Sequence, residues 1–403
     1  MALDLARTVG QIDSLARRLH DRRDERSGRL ARAMAAMAGA DAGDLRRKLD
    51  SAPGRPFLCP GLVGGLSGRH QPAGLPGDFC VAATDGSHID VDRHTPVRCY
   101  LINVGGCLLT YGSQPDARIF SEPVLYSEET DLYMSSGAPG SMEAVAVEGP
   151  VLGLKRAVAE IEALARLVEE APPGMPVLAL IDGSLVLWAL AGRGYQPFVR
   201  ERIIAQGLLP ALDRLQEASR SRPVALAAYV SLPQSTEVTN LLRLYLCPHD
   251  AEACSAHCNS HRSRQTPCDT VNGLLDRHLF QELLAPGERS DTFLSQSSIS
   301  RDWYRQHRVH FFYVNTGREI GRVEAPGWVA ADEGLVSLCH SLILDQCERG
   351  IGYPVAIAES HEQAVVTGPD RLAFRQMVDE ALEVNGLPVY TSEKARSKRT
   401  RWL

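Results

Sequence analysis

Two stretches decide how this chain folds: "FCVAATDGSHID" at residues 79–90 and "PVLALIDGSLVLW" at residues 176–188. Each is a short apolar run ending in an aspartate, and a glycine and a serine follow at once: Asp85-Gly86-Ser87 and Asp182-Gly183-Ser184. A short apolar run bounded by turn residues reads as a buried strand. Glycine permits a sharp exit from the strand, and serine can cap what comes next. Both aspartates are therefore expected at strand ends, on the edge of a sheet. If the strands are neighbours, the two carboxylates converge. Carboxylates within about 4–6 Å repel and raise each other's pKa unless a cation lies between them. A hard divalent ion with oxygen ligands resolves that conflict, and two such ions about 4 Å apart form the usual clamp for phosphodiester cleavage. The bland reading is a turn, since a single Asp-Gly-Ser is common there. From pattern alone the runner-up is a glycoside hydrolase with paired carboxylates. It would want aromatic sugar platforms, and aromatic content is only 6%.

Outward from these stretches, strands and helices alternate. "VRCYLINVGGCLLTYG" reads as the next one or two strands. In "LGLKRAVAEIEALARLVEE", Leu154, Val158, Ile161, Leu164 and Val168 share a helical face. A helix over 198–221, the strand "PVALAAYV", an atypical stretch from about 245 to 300 and the strand "VHFFYVN" follow. A helix over 332–349, the segment "GYPVAIAESHEQAVV", read as a strand ending in Glu359, and a helix over 369–385 complete the order. This mixture argues for an α/β fold with helices on the faces of a mixed sheet. Residues 1–50 read as helix, with an apolar stripe of Leu5, Val9, Ile12, Leu15, Ala16 and Leu19 and a basic outer face of Arg17, Arg18, Arg22, Arg23, Arg26 and Arg29. That face is a solvated surface of a packing or dimerising helix or, in the sharper reading, a contact with DNA or a partner. The Gly- and Pro-rich residues 51–77 are a connector. We divide the chain into an N-terminal helical segment (1–55), a main domain (56–390) with a Cys-rich insertion (245–300), and a basic tail (391–403).

The 403 residues carry 43 Lys and Arg against 49 Asp and Glu, a formal net charge of −6, so the chain is not a generally basic nucleic-acid binder. A polyanion would have to meet a local basic surface or a bound cation. No apolar run approaches the roughly 20 residues of a membrane span, and the charged N-terminus holds no signal-peptide core. A cytoplasmic location is expected. Six cysteines (Cys59, Cys80, Cys99, Cys107, Cys339 and Cys347) sit in mostly apolar surroundings and read as buried thiols.

"AATDGSHIDVDRHTPVRCYLINVG", "LALIDGSLVLWAL", "HRVHFFYVNTGREIGRVEAPGWVA" and "GYPVAIAESHEQAVV" resemble, in that order, the blocks of the NurA family of nucleases, over roughly residues 79–385. The resemblance implies an RNase H-like core, a homodimer and DNA cleavage with a divalent metal, manganese or else magnesium. It implies 5′-to-3′ exonuclease and single-strand endonuclease activity in DNA end processing and repair, beside HerA, a hexameric ATP-driven translocase. The family's two metal aspartates match Asp85 and Asp182. Its helix acid matches a Glu of "AVAEIEAL": Glu160 and Glu162 flank the apolar stripe on opposite sides, periodicity does not decide, and Glu160 is preferred. Its last block matches Tyr353 and His361, the histidine as metal ligand or as a group that orients water, the tyrosine as a catalytic or a packing residue. Arg93 and His94 follow the first strand and are candidates for the phosphate backbone, with loop solvation as the plain alternative.

"LCPHDAEACSAHCNSHRSRQTPCD" holds Cys247, Cys254, Cys258 and Cys268 in the spacing C-x6-C-x3-C-x9-C, with His249, His257 and His261 between them. Such a cluster suggests structural zinc on four sulfurs or an iron–sulfur cluster, which also takes four thiolates. The alternative is four free surface thiols, because the C-x2-C knuckle is missing. Two other readings of the whole chain stand beside the DNA nuclease: a non-catalytic scaffold that docks on DNA or a translocase, and an RNA-directed RNase H-like nuclease.

Overall fold

Thirteen strands among the described residues are numbered in chain order, and β3 (Phe79–Ile89) and β8 (Val177–Asp182) contain the two tripeptides. The computed structural model describes residues 4–21, 23–51, 57–91, 97–137, 142–192, 194–248, 266–387 and 389. The expectations for Arg22, Arg93, His94, Cys254, Cys258, His249, His257, His261 and the 391–403 tail fall outside these residues. The chain divides into two units, one of Met1–Gln71, Ser231–Gln296 and His310–Arg322, the other of Pro72–Val230, Ser297–Val309 and Val323–Leu403.

The second unit carries both tripeptides. Its sheet runs β9-β8-β3-β4-β5, with β4 at Tyr100–Tyr111, β5 at Asp116–Tyr126 and β9 at Val224–Val230. β4 runs antiparallel to both β3 and β5, while β8 lies parallel to both β3 and β9. This is a mixed sheet flanked by helices, as the alternation of elements predicts. Cys80, Val81, Ala82 and Ala83 of β3 are fully buried, because helices cover both faces. The Pro150–Glu170 helix lies on one face and buries Leu152, Leu154, Ile161, Leu164 and Val168. The Val355–Ala364 helix lies against β3 and β4. Glycine makes that second approach close: a Cβ on Gly105 of β4 would stand 2.3 Å from the Ala364 backbone nitrogen.

The first unit is built from short strands and helices. β1 (Gly61–Leu62), β11 (Phe293–Leu294) and most of β12 (Val309–Asn315) are neighbours, and β10 (Arg289–Ser290) pairs with β12 and with β2 (Arg69–His70). Its core gathers Ala33, Met37, Leu45, Leu241, Phe280 and Phe311. Buried Asp276 accepts hydrogen bonds from the Val238 and Thr239 backbones and the Tyr313 hydroxyl, which removes the cost of burying its charge.

Three expectations need correction. Asp85-Gly86-Ser87 is not at a strand end: β3 continues to Ile89. "GYPVAIAESH" is not a strand ending in Glu359 but the start of the Val355–Ala364 helix. The N-terminal segment is helical as expected, in three pieces, Leu5–Asp21, Arg23–Gly39 and Ala42–Asp50. The 245–300 stretch contains a regular helix, Asp276–Leu283, and the pairing strands β10 and β11. Of the six scattered cysteines, Cys99 is only partly buried and the rest are buried. No described helix is long and apolar enough to cross a membrane.

Candidate active site

Parallel pairing of β3 with β8 brings the two aspartates together. Thr84 pairs with Ile181, so Asp85 and Asp182 are the next residues along adjacent strands. Adjacent strands are about 4.8 Å apart, and residues level with each other point to the same face. Both aspartates therefore face the side covered by the 355–364 helix. The His361 ring nitrogen Nδ1 lies 2.8 Å from Asp85 Oδ2, and the Tyr353 hydroxyl donates to Asp182 Oδ1 at 2.7 Å. The Asp85 side chain is 15% exposed, whereas that of His361 is 61% exposed. The carboxylate is sheltered while the rest of the imidazole meets solvent.

Glu160 arrives from the opposite face, on the Pro150–Glu170 helix. The Thr84 hydroxyl donates to the Glu160 carbonyl at 2.9 Å and ties the helix to β3 beside Asp85. A Cβ on Gly86 would lie 2.6 Å from Glu160 Oε1, so only glycine leaves room for this carboxylate. Glu162 is exposed and interacts with Arg166, Arg214 and Lys155 instead. Of the two candidate helix acids, only Glu160 comes within electrostatic reach of Asp85 and Asp182. Burial pushes the Glu160 carboxyl up to about 8; Arg156 opposes this, and the charges of Asp85 and Asp182 add to it.

Arg156 is one site residue that sequence reasoning missed. One turn before Glu160, its Nη1 lies 3.0 Å from Glu160 Oε1 and 3.9 Å from Asp85 Oδ1, and it donates to the Gly86 carbonyl. The signal was present as an Arg–Glu pair at i,i+4 within an apolar helix. Glu324 in β13 (Ile320–Pro326) was missed too. Almost fully buried, it accepts from the Ser184 hydroxyl at 2.7 Å and the Leu185 backbone at 3.0 Å. Buried Tyr304 donates to the Leu185 carbonyl at 2.8 Å. Together they clamp the loop after Asp182.

The donor set is three carboxylates and one imidazole, which suits a hard divalent cation. Glu160 Oε1 is buried, and its close contact is the Arg156 guanidinium at 3.0 Å without a well-aligned hydrogen bond, a place that a cation could take. Among the described residues, no three His, Cys, Asp or Glu side chains are already drawn tightly enough together to enclose an ion. Asp85 leans to His361, Asp182 to Tyr353 and Glu160 to Arg156, so the residues fit the ion in chemistry while the arginine supplies the positive charge. Of the cysteine cluster only Cys247 and Cys268 are described. Both are buried, and Cys268 Sγ contacts the Thr266 hydroxyl at 2.9 Å.

A family model described as "NurA domain" matches residues 80–366. No curated relative matches the chain. Among solved structures, one similar chain is LC9-RNase H1, described as a type 1 RNase H with the type 2 active-site motif. It is 10% identical, with 49% of this chain and 87% of that chain covered and a TM-score of 0.22. Another is the prototype foamy virus protease-reverse transcriptase, 13% identical, with 41% and 19% covered and a TM-score of 0.19.

Proposed function

We propose, from the premise that the chain belongs to the NurA family of nucleases, that it hydrolyses DNA phosphodiester bonds at Asp85, Asp182 and Glu160 with divalent metal, manganese or magnesium. The observation that carries this reading is the side-by-side placement of Asp85 and Asp182 on β3 and β8, with buried Glu160 within electrostatic reach of both. Asp85, Asp182 and Glu160 would hold the ions, with His361 completing the set. When bound, such ions supply a hydroxide at neutral pH and positive charge for the leaving oxygen.

The chain's own residues do the rest. Tyr353 fixes the Asp182 rotamer through its hydroxyl. Asp85 holds His361 Nδ1, which orients the ring and leaves Nε2 to exchange a proton with water. Glu160 must give up its proton to act as a ligand, and its raised pKa couples that step to cation binding. Arg156, beside Glu160 and Asp85, is placed to meet a phosphate at the site, for which a guanidinium is well shaped. The family resemblance supports a homodimer, a HerA-like hexameric translocase as partner, and 5′-to-3′ and single-strand cutting. The test is degradation of labelled single-stranded DNA with manganese by the wild type and by Asp85→Asn and Asp182→Asn. Loss of cutting in folded variants is expected, and full activity in either would overturn the reading. RNA and hybrid substrates in parallel report whether DNA is the preferred strand, and intact substrate with the wild type would mark a scaffold.

A further inference from the structure

A second charged feature lies in the first unit, on residues the cleavage site does not use. The Leu5–Asp21 and Arg23–Gly39 helices and the segment around Asn272–Leu274 enclose a groove of about 720 Å³. Its walls include His20, Arg23, Arg26 and Arg29, with Leu19 and Leu274 as apolar contacts. One acid, Glu25, lines it, and Arg29 already binds that carboxylate and the Asn272 carbonyl. Among the described residues, no carboxylate pairs with Arg23 or Arg26, so the groove carries a net positive charge in a chain whose formal net charge is −6.

His278, outside the groove's lining, contacts Arg26. Its Nδ1 contacts the Leu275 backbone N–H at 3.0 Å, and its Nε2 contacts Arg26. Backbone N–H and guanidinium are both donors only. A neutral imidazole offers one acceptor nitrogen and one N–H, so one of the two contacts sets donor against donor whichever tautomer is present. Burial, with Arg26 and Arg277 adding to it, pushes His278 down to about 4, so the ring is neutral near pH 7. The natural tautomer accepts from Leu275 and presents Nε2–H toward Arg26. His278 therefore gives Arg26 no acceptor, and the guanidinium is left to find one in the groove it lines.

We infer that this groove docks the phosphodiester backbone of a single-stranded nucleic acid, with phosphate oxygens on the Arg23 and Arg26 guanidinium groups that line it. Arginine forks match phosphate oxygens, and Leu19 and Leu274 offer an apolar wall to a sugar or base. The volume is in the range of sites for nucleotide-sized groups. The choice of nucleic acid over another polyanion rests on the proposed nuclease activity.

The test is fluorescence anisotropy of a labelled oligo-dT in metal-free buffer over a range of salt, with wild type, Arg23→Glu, Arg26→Glu and the double variant. These side chains are exposed, and circular dichroism checks the fold. Arg318→Glu, an exposed position in the turn after β12, is the charge-matched control. Each single variant is expected to weaken binding about tenfold, and the double variant to lower the salt slope by about 1.4, roughly 0.7 for each phosphate no longer neutralised. Unchanged affinity and slope in the double variant, or an equal loss in Arg318→Glu, would overturn the inference. Because no metal is present, the result stands apart from whether the chain cuts DNA; hydrolysis of bis-p-nitrophenyl phosphate with manganese reads the cleavage site separately.

Discussion

The same tripeptide, Asp-Gly-Ser, does two different physical jobs in this molecule. In β3, Gly86 sits inside an extended strand, and its missing side chain matters because Glu160 and Arg156 fill the space a Cβ would take. After β8, Gly183 has φ +85 with nothing within 4 Å of a Cβ, so there the backbone conformation demands glycine. The serines differ as well. Ser87 donates to the Ala364 carbonyl at 2.6 Å and holds the helix that carries His361, whereas Ser184 donates to Glu324 and holds its own loop. One glycine answers crowding and the other answers torsion, yet both deliver an aspartate to one place. A tripeptide in sequence names the destination without naming the force.

The comparison can be sharpened by substitution, beginning with the aspartates the two copies share. Asp85→Asn and Asp182→Asn are each expected to lower DNA cleavage on the order of 10^3-fold. Melting of the metal-free variants should be unchanged or raised by up to about 1 kcal/mol, since a repelling charge is gone. Parallel loss in both would show that the two copies serve one centre; loss in only one would separate them.

Next comes Glu160, which only the first copy accommodates. The folded chain holds its proton up to about pH 8, against 4.5 for a free carboxyl. Stability without metal is therefore full below about pH 4.5 and declines as pH rises to about 8, by at most on the order of 5 kcal/mol. Denaturant melts in chelator should show that decline in the wild type and its absence in Glu160→Gln. The glycines follow. Gly86→Ala crowds Glu160 and should cost about 1–3 kcal/mol together with about a tenfold loss of cleavage. Gly183→Ala should cost about 1–2 kcal/mol through its positive φ, with Gly183→Asn recovering part, because asparagine tolerates that region. Were asparagine to rescue position 86 and not 183, the contrast would be reversed.

Much of this was legible in the sequence because apolar runs and acids are local signals. The β8 strand, the Pro150–Glu170 helix and both aspartates follow from them. The choice between Glu160 and Glu162 was not legible, since it depends on which side of the helix meets Gly86, a long-range fact. The 355–364 segment misled because Val355 and Ile357 alternate as in a strand. Its buried set of Ala356, Ile357, Ser360 and Ala364 is spaced for a helix, and Pro354 stands where a helix begins. The continuation of β3 past Asp85 was hidden because Asp-Gly ordinarily signals a turn. Here a long antiparallel pairing with β4, through Ile89 and Leu101, outweighs that local preference.

The central claim is that carboxylates from the two tripeptide strands jointly hold divalent cations, and manganese binding by titration calorimetry tests it most directly. Wild type should bind saturably, Asp85→Asn and Asp182→Asn should each lose at least about tenfold in affinity, and Glu162→Gln should bind like the wild type. Wild-type affinity in a protein carrying both aspartate substitutions would contradict the account.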